Sequence, residues 1–315
     1  MMNDLALLLQ LSVQMGTPLL FGTLGGILNE KVGHLNLGIE GMMLLGASFG
    51  FSTAYRTGNV LLAIISAGLA GAIGALIYAV LTVTFRSDQT VTGFALTIFG
   101  VGVSNFAGKS LSNQLLSNEF ISVIGVKQIP YLSKIPFIGT IIFHQSFYVH
   151  IALVAAIMLY IYMKKTRPGL NMYMVGEDPA AADASGINVT AYKYAHILIG
   201  GALCGLGGAF LSLVYVPRWQ DNITAGMGWI CVALVIFSTW NPLKAILGAY
   251  LFGLLRSLSI KYQNVSFFGL IISPQIIDML PYLMTILVLI FTTLSQKREN
   301  LAPGSLGKPY FREDR

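Results

Sequence analysis

Charge is what this sequence has least of: 10% of its 315 residues are Asp, Glu, Lys or Arg, against about 25% in an ordinary soluble domain. With 55% of residues hydrophobic, the chain has too little polar surface to face water on all sides, and a soluble globular fold is excluded. Cysteine is nearly absent as well. Cys204 and Cys231 both fall inside apolar runs, which excludes a disulfide framework and leaves each thiol as a small buried apolar group. Catalytic signatures are missing in the same way. There is no H-E-x-x-H pair and no Gly-x-Ser-x-Gly elbow, and the histidines, His34, His144, His150 and His196, are scattered. The nearest approach to a phosphate-binding loop, Gly102 to Ser110, has five residues between its glycines where the loop needs four, and it follows an apolar run instead of a strand. No enzyme activity, metal or cofactor is expected of this chain.

What is present is a series of runs free of acidic and basic residues, at approximately 5–28, 39–55, 60–84, 90–108, 147–163, 196–216, 224–239, 244–261 and 276–295. A helix needs about 17 to 25 such residues to cross the hydrocarbon core, and the backbone of a spanning chain must be helical or a closed barrel. Barrel strands alternate in pieces of about ten residues, so unbroken runs predict an all-α integral membrane protein, a polytopic bundle of about nine segments. The 39–55 and 224–239 runs are short and punctuated by glycine, so either is a candidate half-helix entering from one side. The first run opens on Asn3 and Asp4 and shows no A-x-A site, so it is expected to stay as helix one. Residues 1–296 form the membrane domain on this reading and 297–315 a tail.

Lys and Arg collect in cytoplasmic loops. The heaviest clusters are Lys164, Lys165, Arg167 and Lys193 in the middle, and Lys297, Arg298, Lys308, Arg312 and Arg315 at the end. Placing both inside puts the 164–195 loop and the C-terminus in the cytoplasm, the N-terminus outside, and Lys31, Arg86 and Lys244 inside. The same rule accounts for the net charge of +6 without a nucleic-acid partner.

Polar residues inside apolar runs are costly and mark candidate sites. Asn36 and Glu40 sit in a run bearing Gly33, Gly38 and Gly41. Two readings stand: a broken helix lining a polar pathway, or a carboxylate capping a helix start among packing glycines. A second polar stretch, Trp219 to Asn222, precedes Thr224, Gly226 and Gly228, and its likeness to the first hints at an internal repeat. Asn36, Glu40, Gln89, Asn105 and Asn222 are the expected pathway residues. In the basic middle loop, Asp178 suits an N-cap and Pro179 the first helical position. Alanines including Ala181 and Ala184 propagate a short helix, and Gly186 stops it. Such a helix is marginal alone and should be held by packing, on this chain or in another subunit's groove.

Three blocks, LNLGIEGMMLLGA at 35–47, VGEDPAAADASGINV at 175–189 and GMGWICVALVIFSTWNPL at 226–243 running on to LFG at 251–253, resemble the permease subunits of bacterial ATP-binding-cassette importers. The likeness is to the branch that includes ribose, branched-chain amino-acid and nucleoside systems, and the first block reads most like the nucleoside and simple-sugar group. It implies that Gly176, Glu177, Asp178, Pro179, Ala181, Ala184 and Gly186 belong to a segment contacting the ATPase. It also implies cytoplasmic ATPase subunits, a second permease that is a longer paralogue or an identical copy, and an extracytoplasmic substrate-binding lipoprotein or protein. The chain departs from the pattern at Asp178, where Asn is frequent, and at Met227, where Arg between the glycines is common. Those departures bear on substrate subtype. The rival class is a self-contained secondary transporter coupled through Glu40 and Asp278, the two candidate intramembrane acids.

Overall fold

The computed structural model describes residues 2–128, 139–261, 266–267, 270–271, 279–280, 283–284, 286–287, 290 and 301–311. It is an all-α polytopic bundle, as a chain this apolar requires if its backbone groups are to be satisfied away from water. Helix α1 runs Met2–Lys31, α2 Ile39–Thr57, α3 Val60–Ala79 with a π turn over Val80–Thr84, and α4 Gln89–Gly108. A connection follows with α5 (Asn118–Ile124) and an antiparallel ribbon of β1 (Lys127–Gln128) and β2 (His144–Gln145). Next come α6 (Phe147–Lys165), α7 (Arg167–Glu177), α8 (Pro179–Ala184) and α9 (Val189–Phe210), the last extended by a π turn at Leu211–Tyr215. Helices α10 (Met227–Phe237) and α11 (Pro242–Lys261) complete the bundle, followed by a second ribbon of β3 (Ser266–Phe267) and β4 (Leu270–Ile271).

Among the described residues, six helices are long and apolar enough to cross a membrane: α1, α3, α4, α6, α9 and α11, with α3 and α9 counted together with their π turns. Each coincides with an apolar run of the sequence. Helix α3 turns Leu61, Ile65, Leu69 and Ile73 outward as an apolar stripe, as contact with lipid demands. Helix α7 has no counterpart among the expected elements. Most of the 276–295 run, including Asp278, lies outside the described residues.

Helix α2 is the enclosed centre, packed by α3, α4, α9 and α10, with Met42, Met43, Leu44, Ala47 and Phe51 fully buried. In lipid, helices gain nothing from hiding apolar surface from one another, so they associate through close contact between small residues. That is the pattern here. Gly46 meets the backbone of Gly205, Gly71 meets Gly201 and Gly205, Gly208 meets the Met43 carbonyl and Gly25 meets Gly200; a Cβ at any of these glycines would overlap the facing backbone.

Two crossings are broken. Helix α1 ends at Lys31 on the end of the bundle that also carries Lys164 and Lys244, here the basic end. The chain then climbs without helix from 32 to 38, with Leu37 against Gly93, and Gly41 against Leu96 and Thr97 in the middle of α4. So α2 starts halfway up the bundle and leads to the opposite end. This corrects the expectation of a half-helix at 39–55: α2 has 19 residues, about 28 Å at 1.5 Å per residue, and the broken portion is the segment before it. Helix α10 has 11 residues, about 16 Å, and is the half-helix expected at 224–239. It starts beside the middle of α1, where Cys231 touches Gly22, and runs to the basic end, where Val235 touches Gly26. The segment before it, 216–226, descends from the opposite end, anchored by fully buried Trp219 on Gly108 and Phe51.

Candidate functional site

The two helix starts meet at Glu40. A helix N-terminus leaves its first N–H groups without partners inside the helix and carries partial positive charge. The N-cap of α10 is Gly226, with no side chain to offer. Glu40, in the first turn of α2, supplies the missing acceptors. Its Oε1 accepts the Thr224 hydroxyl at 2.5 Å and the Gly226 N–H at 2.9 Å, and its Oε2 accepts the Gly228 N–H at 2.6 Å. Asn222, Ala225 and Gly226 all have positive φ, +53°, +44° and +81°. Those turns aim the N–H groups of 226 and 228 at the carboxylate. Gly228 lies on the Glu40 backbone, where a Cβ would overlap its N and Cα.

The 32–38 segment has no helical ladder, so its backbone groups must find other partners. Gln89 takes two of them: its Oε1 accepts the Leu35 N–H at 2.7 Å and its amide nitrogen donates to the Gly33 carbonyl at 3.5 Å. The Tyr78 hydroxyl donates to the Leu35 carbonyl at 2.8 Å and Thr97 to that of Leu37 at 3.1 Å. Asn36 closes a local turn, its Oδ1 accepting the Gly38 N–H at 2.8 Å.

Of the five expected pathway residues, the structure therefore gathers Asn36, Glu40 and Gln89 around the two helix starts, all buried. Asn105 lies exposed on the outer face of α4, and Asn222 is exposed in the turn before α10. On the side of the opposite end, a cavity of about 400 Å³ borders the start of α10, with Ala225 and Met227 in its wall and Tyr215, Gln220, Arg256 and Ser259 as its polar lining. Arg256 Nη1 is buried there without a hydrogen-bond partner among the described residues.

At the basic end, the 176–189 segment takes the form its sequence predicts. Asp178 Oδ1 accepts the N–H groups of Ala180 and Ala181, each at 3.0 Å. Pro179 opens α8, and Gly186 leaves it with φ +82°. Ala182 is buried while Ala181 and Ala184 are exposed. Helix α7, capped by Thr166, lays Met172 and Val175 into the core and brings Gly176 against the Lys31 carbonyl, so closely that a Cβ would overlap it. Glu177 is exposed and accepts the Gly304 N–H at 3.1 Å. The Lys31 ammonium lies 4.8 Å over the Tyr173 ring, and burial pushes the Tyr173 hydroxyl pKa up. So α7 is docked directly on the turn that begins the broken segment leading to Glu40, and α8 packs in turn on α7 and α9.

Sequence reasoning did not assign Thr224, Gly226 or Gly228 as partners of Glu40, nor Tyr78 and Thr97 as holders of 32–38. A short Thr-x-Gly-x-Gly stretch before an apolar half-length run was the available signal for the first group. The second group had none, because a hydroxyl within an apolar helix does not announce which backbone it serves.

The family described as branched-chain amino acid transport system / permease component matches residues 8–289. The chain is 37% identical to the nucleoside ABC transporter permease protein NupC of Lactococcus lactis, over 91% of this chain and 92% of that one. It is 31% identical to the guanosine ABC transporter permease protein NupQ of Bacillus subtilis, over 99% and 98%. It is 35% identical to the provisionally assigned glucose ABC transporter permease protein TsgC13 of Haloferax volcanii, over 99% of both. The two bacteria each hold a second such permease, NupB and NupP, 24% identical to this chain over 76% of its length.

Proposed function

The chain belongs to the branched-chain amino acid transport system / permease component family, and from that premise we propose that it is one of two membrane subunits of an ATP-binding-cassette importer moving nucleosides or simple sugars into the cell. The observation that carries the substrate class is the occupied start of α10. A half-helix N-terminus at mid-bundle is a ready site for an anionic group of a substrate. Here the protein's own Glu40 fills it, which suits a cargo without a carboxylate and disfavours an amino acid. The names of the relatives, nucleoside, guanosine and glucose permeases, point the same way. Full engagement of Glu40 also argues against its serving as an ion-coupling acid in a secondary transporter.

The basic end faces the cytoplasm on this reading, consistent with its lysines, and ATPase subunits dock on α7 and α8. A displacement of that pair is passed through Gly176 to the Lys31–Gly33 turn, and from there along 32–38 to the junction at Glu40. The second permease is a longer paralogue, as NupB accompanies NupC. An extracytoplasmic binding protein delivers cargo to the opposite end, on whose side the Tyr215, Gln220 and Arg256 cavity lies.

Reconstitution tests this directly. Proteoliposomes holding this chain, its paralogue, the ATPase subunits and the binding protein should accumulate nucleoside or sugar only when ATP is supplied on the ATPase side. Accumulation by this chain alone under a proton or sodium gradient would overturn the proposal.

A further inference from the structure

Residues 301–311 return to the basic end and lie across the joint between α7–α8 and the Lys31–Gly33 turn. Ser305, buried at 6% exposure, donates both its N–H, at 3.0 Å, and its hydroxyl, at 2.6 Å, to the Gly176 carbonyl. That carbonyl is in the last turn of α7, where helix carbonyls lack partners of their own. Two residues on, the Gly307 N–H donates to the Gly33 carbonyl at 3.2 Å. Gly33 has φ +84°, and a Cβ on it would overlap Ser305 Oγ. The Gly304 N–H reaches Glu177 Oε2 at 3.1 Å, and the Tyr310 hydroxyl donates to Asp183 Oδ2 on α8 at 3.2 Å. The strap's far end is held from the other side: Lys193 of α9 lies 5.8 Å over the Tyr310 ring, and Arg86, after the π turn of α3, 4.5 Å over that of Phe311.

Resting on the reading of 176–189 as the ATPase-coupling segment, we propose that this C-terminal strap is part of the transmission, with Ser305 and Tyr310 as positioning residues that make α7, α8 and the start of the broken segment move as one piece. The physical ground is the kind of contact. Helix α8 has six residues and buries only Ala182 fully, so it has little apolar surface with which to grip the bundle. Apolar contacts also let surfaces slide, whereas directional hydrogen bonds to carbonyl and carboxylate oxygens fix both distance and angle. The strap supplies such bonds to α7 (Gly176, Glu177), to α8 (Asp183) and to the turn (Gly33), closing a triangle whose side between α8 and the turn would otherwise be open.

The test measures uptake and ATP hydrolysis together in proteoliposomes of the full complex. Ser305→Ala with Tyr310→Phe removes two side-chain hydrogen bonds and keeps every ring and backbone contact; a chain ending at residue 302 removes the strap. The double variant should keep ATP hydrolysis and ATPase copurification near the unsubstituted values while cargo moved per ATP falls about fivefold or more, the scale of a single neutral hydrogen bond. The truncated chain should fall further in the same ratio. An unchanged ratio in the double variant would overturn the inference. A parallel fall of uptake, hydrolysis and assembly would overturn it too, by making the strap a plain stabiliser. Failure of the underlying reading looks different: Ser185→Cys in the otherwise unsubstituted chain would not crosslink to the ATPase at all.

Discussion

Glu40 Oε2 accepts the backbone N–H of Gly228 at 2.6 Å, across 188 positions of sequence. The first turn of one broken crossing thereby caps the first turn of the other, so neither helix start can move without displacing its neighbour. Buried N–H groups that lose an acceptor cost about 1–3 kcal/mol each, and a helix start loses its favourable charge as well.

Glu40→Gln should therefore lower the unfolding temperature of the purified permease and reduce uptake, since an amide keeps one acceptor and turns the other into a donor facing an N–H. Glu40→Ala should lower both further, by about 2–4 kcal/mol in stability. Thermal unfolding in detergent beside transport assays checks this; an alanine variant as stable and active as the parent would remove the junction from the mechanism.

On α8 the two faces should respond differently. Ala181→Glu projects into solvent, so it should leave folding intact and abolish copurification of the ATPase. Ala182→Glu places a charge at a fully buried position and should reduce the yield of folded permease. If Ala181→Glu copurifies with ATPase and transports normally, the helix is only a connector.

A cysteine at exposed Ser185 is expected to react with a membrane-impermeant maleimide in inverted vesicles and to stay unlabelled in intact cells. The reverse pattern would turn the whole topology over.

The asparagines separate by what they touch. Asn36→Asp keeps the acceptor for Gly38 but buries an unpaired charge near Glu40 and should destabilise the permease, whereas Asn36→Ala only opens the turn and should destabilise by about 1 kcal/mol. Asn105→Ala sits on an exposed face and should leave stability unchanged. A loss of uptake in that variant would show that this side of α4 lines the passage; normal uptake would place the passage elsewhere.

The helices came through in the sequence wherever the deciding interactions are local. Asp178, Pro179 and Gly186 announce α8 because a cap, a fixed φ and a left-handed stop act within a few residues. Long apolar runs announce the spans for the same reason, since the pattern that signals a crossing is the crossing. Helix α7 was not foreseen: Met172 and Val175 give its buried face too few apolar residues to stand out from Asn171, Glu177 and their neighbours. The sequence leaves the role of Glu40 between two readings because its partners are brought to it only by the fold. Asn36 and Asn105 looked alike as amides in apolar stretches, yet one serves a backbone N–H two residues away and the other faces outward, and which way a side chain points depends on neighbours the local sequence does not contain.

The small-residue seam joining α2, α3 and α9 has one more consequence. Where Gly46, Gly71, Gly201, Gly205 and Gly208 bring backbone against backbone, there are no side chains between the helices to change rotamer and absorb a small push. Ordinary cores cushion; at these contacts nothing soft fills the gap. A displacement applied at the basic end would meet little to absorb it along this seam, so the centre of the bundle would act as a lever arm, with the unwound stretches 32–38 and 216–226 as its joints.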